Sequence, residues 1–267
     1  MPRHLFPVLA ACVALSVGAA SIAGAASTTI VAGNLVLKFG GSTSPKKLPK
    51  RQFAPVALNV NGKIRTRDGS HPPALREAVV DIDKNGAINA KGAPVCKGGQ
   101  LEARPTAAAR RVCSSAIVGK GQANIEIAFP EQPPIKVFSP LTIFNGGVRG
   151  GKTTMYVHAY ITVPVPSAVV TTLKIKKIRK GRYGLNTVAR IPVVAGGSGS
   201  ALDFQFRIKR LFTFRGKRQS YLKARCPDGR FQTRILRALF KNEARTPDVP
   251  ATTALKGKLV VPCTPKG

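Results

Sequence analysis

Between Leu202 and Phe214 the chain places Leu202, Phe204, Phe206, Ile208, Phe212 and Phe214 on one parity, broken only by Arg210. The other parity carries Asp203, Gln205, Arg207, Lys209, Thr213 and Arg215. A period of two puts one set on each face of a strand, whereas a helix would scatter both sets around its axis. Arg215-Gly216-Lys217-Arg218 then reads as a turn, after which Leu222, Ala224 and Cys226 alternate with Tyr221, Lys223 and Arg225. Residues 202–226 are therefore expected to form an antiparallel hairpin with an aromatic inner face and a basic outer face.

The same period recurs along the chain. Val56, Leu58 and Val60 oppose Ala57, Asn59 and Asn61, with Asn61-Gly62 offering a hairpin turn. Ala78, Val80 and Ile82 precede the turn Lys84-Asn85-Gly86. Further strands are expected at Ile125 to Phe129, Lys136 to Phe144, Met155 to Val163, Leu173 to Ile175, and Leu259 to Cys263. One short helix is expected over 105–116, near Cys113, because Pro105 suits a first turn and the following alanines favour helix. The fold class is thus mainly β: an antiparallel β-sandwich over 51–265, built as one large domain or as two β lobes. Val163-Pro164-Val165-Pro166 marks a candidate lobe division near 164–168. Residues 27–50 are small and polar and run into Lys46-Lys47-Leu48-Pro49-Lys50-Arg51, so they read as a flexible basic arm.

Residues 1–26 have the three parts of a signal peptide: basic Arg3 and His4, an uncharged stretch from Leu5 to Ala23, and small residues at 23–26. Cleavage is expected after Ala25 or Ala26, giving a secreted or envelope-associated protein with no transmembrane segment. Two other readings are an uncleaved anchor over Leu5 to Ala26 and a lipoprotein signal at Leu9-Ala10-Ala11-Cys12. The first lacks a polybasic stop; in the second the chain stays apolar after Cys12. Removal of Cys12 leaves Cys96, Cys113, Cys226 and Cys263, an even set that argues for two disulfides in an exported chain. Of the three pairings, Cys96–Cys113 and Cys226–Cys263 are expected, each closing a loop worth about 3–4 kcal/mol. Zinc is disfavoured, because no CxxC pair exists and His71 and His158 sit at no ligand spacing.

The chain has 43 Lys and Arg against 11 Asp and Glu, a formal net charge of +32. Such a charge favours adsorption to anionic surfaces. The two densest basic patterns supply the candidate polyanion-binding residues. They are Lys174, Lys176, Lys177, Arg179, Lys180 and Arg182 in the first, and Arg207, Lys209, Lys223 and Arg225 in the second. If both lay in one sheet they would form a continuous cationic surface; a solvated charged face is the simpler reading of each alone. The expected partners are anionic envelope glycopolymers or an acidic polysaccharide. Sequence-specific nucleic-acid binding is not expected, since Tyr183 and Tyr221 are the only obvious aromatics for stacking.

Other motifs carry less. Gly146 to Thr153 matches the phosphate-loop letters GxxxxGK[ST], but that chemistry needs a helix after the lysine, and Met155 to Val163 is strand-patterned. A glycine-rich hairpin loop fits better. Asp81, Asp83 and Asn85 occupy positions one, three and five of a Ca²⁺-loop pattern, yet Gly92 stands where the bidentate glutamate belongs. They are a weak metal candidate against a plain hairpin turn. No GxSxG or HExxH is present, and no catalytic residue or cofactor is expected. Thr154, Tyr156, His158, Tyr160 and Thr162 share one strand face and could touch a ligand, though a polar outer face of a sheet is the commoner explanation. Glu77, Glu102, Glu126 and Glu131 could supply paired carboxylates to a carbohydrate-active hydrolase, but nothing singles out a pair.

Several segments together resemble a group of secreted, basic, β-rich actinobacterial proteins of unknown activity. They are Pro72-Pro73-Ala74-Leu75, Ile82 to Gly86, Cys96, Ala109 to Cys113 with Val118 to Gly121, Phe144-Asn145-Gly146, and Ser220 to Pro227. The resemblance spans roughly 45–264 and implies an exported protein without supplying functional residues. The functional expectation is a non-enzymatic exported protein binding anionic envelope polymers. The alternatives are a secreted hydrolase or a Ca²⁺-stabilised structural module.

Overall fold

Each alternating segment becomes a strand because its apolar parity finds a second apolar surface to cover it. The computed structural model describes residues 26–129, 131–245 and 249–266; residues 1–25, with Cys12 and all but the last residue of the expected signal peptide, lie outside them. Among the described residues, twelve strands join one antiparallel sheet. They are β1 (Ala26–Ala32), β2 (Leu35–Ser44), β3 (Ala57–Thr66), β4 (Ala74–Asp83), β5 (Ile117–Phe129) and β6 (Gln132–Arg149). There follow β7 (Lys152–Ile161), β8 (Ser167–Lys180), β9 (Tyr183–Arg190), β10 (Gly199–Ile208), β11 (Arg230–Lys241) and β12 (Thr252–Pro262).

The spatial order is β1-β2-β3-β10-β5-β6-β7-β8-β9-β4-β11-β12. Strands β5 to β9 are a meander of consecutive hairpins. Two distant strands are then inserted: β10 between β3 and β5, and β4 between β9 and β11. The sheet curls until its last strand meets its first. A Cβ on Gly257 would lie 2.3 Å from Ile30 Cδ1, so the missing side chain lets β12 and β1 approach. The result is a nearly closed sheet whose inner faces pack on each other, as in a β-sandwich.

Leu35, Leu37 and Ile64 from the first strands pack with Ile235, Phe240 and Leu255 from the last. Ile125, Ile127, Leu141, Ile161 and Val169 fill a second part of the interior. The largest cluster, with Ile143, Met155, Ile208, Phe231 and Leu259, is closed over by Leu48, Phe212, Tyr221 and Leu222 from short extra segments. These include a hairpin of 211–214 with 217–220, a small sheet of 54–55, 86–88 and 222–224, and a parallel pair of 47–49 with 264–266. Cys226–Cys263 ties this closure to the end of β12.

The helix α1 (Thr106–Val112) lies on the outside of β6 and β7, where Cys96–Cys113 fastens it. Leu101, Ala109 and Ala116 pack there on Phe144 and Tyr156. Both disulfides suit an oxidising environment. No helix among the described residues is long and apolar enough to cross a membrane.

Three expectations are corrected. Residues 27–50 are not a loose arm: Ser27 to Ala32 and Leu35 to Ser44 are paired strands, because Ile30, Leu35 and Leu37 find partners on β11 and β12. Asn61-Gly62 is no turn. It lies inside β3, and Gly62 seats the Phe204 ring, which a Cβ there would meet at 2.5 Å. Residues 202–226 are not one hairpin, since β10 stays in the large sheet while 211–220 fold as a separate hairpin. Its turn is at Arg215-Gly216, both with positive φ of 50° and 70°, as a two-residue type I′ turn requires. The stretch 163–166 lies between β7 and β8, which pair directly from Lys152↔Lys176 to Ile161↔Ser167.

Candidate polyanion-binding face

Strand register decides which charges meet, because residues directly opposite on neighbouring strands share a face. On the outer surface one such row runs Arg149, Lys152, Lys176, Asn186, Asp81, Arg234, Lys258 across β6, β7, β8, β9, β4, β11 and β12. It holds five basic side chains and one carboxylate. The next rows add Lys174, Arg237 and Arg190. Lys152, Lys174, Lys176, Asn186 and Arg190 line a shallow groove of about 190 Å³.

The acids on this face are already engaged. Asp81 Oδ2 accepts from Arg234 Nη2 at 2.8 Å, and Asp81 Oδ1 accepts from Asn186 Nδ2 at 2.8 Å. Arg234 also lies 4.5 Å over the Tyr183 ring. Glu77 takes Arg237 and, at 3.9 Å, Arg190. Among the described residues, Arg149, Lys152, Lys174, Lys176 and Lys258 have no acid partner.

The ten candidate basic residues therefore separate. Lys174 and Lys176 line the groove, and Lys177, Arg179 and Lys180 are exposed toward the β8–β9 turn. Arg182 is a structural group. It donates to Asp228, which raises its pKa and holds the Asp228 carboxyl below the usual range, and to Asp83 at 2.6 Å. Arg225 donates to Asn85 Oδ1 at 3.0 Å and covers the Phe53 ring at 5.0 Å. Lys223 donates to Gln219, and Arg207 to Asn59. Lys209 is exposed. Arg207 lies apart from the first pattern, because β5, β6 and β7 separate β10 from β8, whereas Arg225 on Asn85 stands beside Arg182 on Asp83. The sequence reading missed Arg149 and Lys152, whose alignment with Lys176 rests on the register of two consecutive hairpins, and Lys258, which joins the row only through pairing of distant strands.

The same contacts involve the Ca²⁺ candidates Asp81, Asp83 and Asn85. All three are buried, and each faces an arginine: Arg234, Arg182 and Arg225 respectively. Each of these side chains already accepts from a guanidinium group, and like charges disfavour a cation beside it. Tyr221 is not available for stacking either. It is fully buried and donates to Asn145 Oδ1 at 3.1 Å, and burial raises its phenol pKa.

The phosphate-loop letters form the β6–β7 turn, with Gly150 and Gly151 at φ 54° and 71°. His158 lies under the helix segment rather than in an open site. Its Nε2 donates to the Arg104 carbonyl at 2.9 Å, and burial lowers its pKa. Arg110 Nε donates to Thr142 Oγ1 beside it. The glutamates considered for hydrolysis are dispersed among other partners: Glu77 as above, and Glu126 bonded to His71 at 2.9 Å, while Glu102 and Glu131 are exposed. No protein family, curated protein or solved structure matches this chain.

Proposed function

We propose that this is an exported, non-enzymatic protein that binds anionic envelope polymers through the basic outer face of β6 to β9. The carrying observation is the side-by-side alignment of Arg149, Lys152 and Lys176, with Lys174 adjacent and no acid partner for any of them among the described residues. Aligned like charges destabilise a sheet, whereas a bound polyanion relieves that repulsion. Lysine ammonium groups on flexible stems suit a polymer with repeating phosphate or carboxylate groups. The signal-like leader places such polymers within reach.

The test is retention on a phosphate- or carboxylate-bearing polymer resin as salt rises. Retention should weaken steeply, since screening acts over about 8 Å at physiological ionic strength. The triple variant Lys152→Glu, Lys174→Glu, Lys176→Glu should elute at markedly lower salt. Equal elution of variant and wild type would remove this face from the mechanism.

A further inference from the structure

The first half of the sheet has a different outer face. One row reads Ser27, Gly40, Asn61, Gln205, Gln122 across β1, β2, β3, β10 and β5. A flanking row reads Lys38, Lys63, Asp203, Asn124 and ends at Phe138, which is 59% exposed. On the opposite flank, Arg207 and Lys120 face each other. Ser27, Lys38, Asn61, Lys63, Asp203 and Gln205 line a recess of about 390 Å³, within the roughly 300–1,000 Å³ typical of small-ligand sites.

The Asn61 amide leans over Gly40, where a Cβ would lie 2.3 Å from Asn61 Oδ1. Asn59 and Asn124 are engaged with Ser42 and Asp203. By contrast, Asn61, Gln122 and Gln205 make no side-chain hydrogen bond among the described residues. Each primary amide offers two donors and an acceptor, the complement of a vicinal diol. Neighbouring strands set these amides about 4.8 Å apart, comparable to the advance per residue of an extended polysaccharide.

We propose that this amide row, with Lys38 and Lys63 on one flank and Lys120 and Arg207 on the other, binds the sugar rings of an acidic oligosaccharide. The basic flanks take its carboxylates, the amides take its hydroxyls, and the Phe138 ring offers an apolar surface to a ring face. This deepens and rests on the reading of the partner as an anionic glycopolymer. It assigns the sugar to a face of the sheet other than the lysine groove.

The test is calorimetric titration of the full protein with a short uronic-acid oligomer, a neutral oligosaccharide of equal length, and inorganic phosphate. The uronic-acid oligomer should bind more tightly than the neutral one, and equimolar phosphate should not displace it. The variant Asn61→Ala, Gln205→Ala should weaken binding about tenfold, the loss of roughly 1.4 kcal/mol of hydrogen bonding. Gln122→Ala supplies an independent check on the next strand. In the background of the groove variant Lys152→Glu, Lys174→Glu, Lys176→Glu, the loss caused by Asn61→Ala, Gln205→Ala should persist. Unchanged affinity in both amide variants, equal affinity for the neutral sugar, or displacement by phosphate would overturn the inference. No binding of the oligomer with resin retention intact would also overturn it and leave the polyanion reading standing. Oligomer binding with resin retention indifferent to the groove variant would do the reverse.

Discussion

Lys152 and Lys176 stand directly opposite each other on β7 and β8, two exposed ammonium groups with no acid between them. Opposed like charges cost a sheet a few tenths of a kcal/mol to about 1 kcal/mol. Replacing Lys176 by Glu should therefore raise the unfolding free energy by up to about 1 kcal/mol while lowering polyanion retention. Thermal melts of the two proteins with and without polymer would check this. The polymer should raise the melting temperature of wild type more than that of the variant.

Asp81 is only 1% exposed and holds Arg234 and Asn186 together across three strands. Arg234 itself is 41% exposed, so solvent screens the pair and moderates its worth. Asp81→Ala is expected to cost about 1–3 kcal/mol, chiefly from the donors left unpaired. Urea denaturation would measure it. A chelator should leave the melting temperature unchanged, and a chelator-induced drop would restore the Ca²⁺ reading.

His158 ties stability to pH. Burial lowers its pKa below the usual 6.5, so the folded state prefers the neutral ring. As pH falls below 6.5 the unfolded chain takes up this proton before the folded one does, and linkage then favours unfolding. The contribution is fully present above 6.5 and declines through the window down to the depressed folded value. Stability measured from pH 7.5 to 5 should fall, and His158→Gln should flatten that part of the profile. An equal slope in the variant would assign the dependence elsewhere.

Cys226 and Cys263 are 37 residues apart in sequence. Replacing both by serine should remove about 4 kcal/mol by loop entropy. Cys96–Cys113 spans 17 residues and should contribute about 3 kcal/mol. Its loss should preferentially loosen the helix segment over Phe144 and Tyr156, read as faster amide exchange in β6 and β7.

Gly121 is a backbone constraint rather than a turn. A Cβ there would lie 2.1 Å from the Gln205 backbone oxygen, which cannot swing aside as a side chain can. Gly121→Ala should destabilise by about 1–3 kcal/mol or more, measurable in the same urea titration.

Several elements were legible from local pattern alone. The 105–116 helix is observed as α1 followed by a 3-10 turn at 114–116, and both disulfides join neighbours in sequence. β11 was not legible, because a bulge near Ile235 shifts its buried residues from Phe231 and Ile235 to Ala238 and Phe240. That one-residue offset breaks the period on which strand reading depends. β1 and β2 were missed because Ser, Thr and Gly dilute their apolar parity, and their partners lie at the far end of the chain.

Period-two alternation, the four cysteines that follow Cys12 and a large excess of lysine and arginine are local or compositional properties. By itself, then, the sequence determined a mainly β antiparallel chain with two disulfides and a basic surface. Tertiary structure decided that Lys152 and Lys176 align, that Arg182 and Arg225 are spent on buried acceptors, and that Asn61 joins Gln205 and Gln122 in one row. Those outcomes depend on register, within one hairpin for Lys152 and Lys176 and between segments far apart in sequence for the others. A shift of one residue in any pairing would turn each side chain to the opposite face.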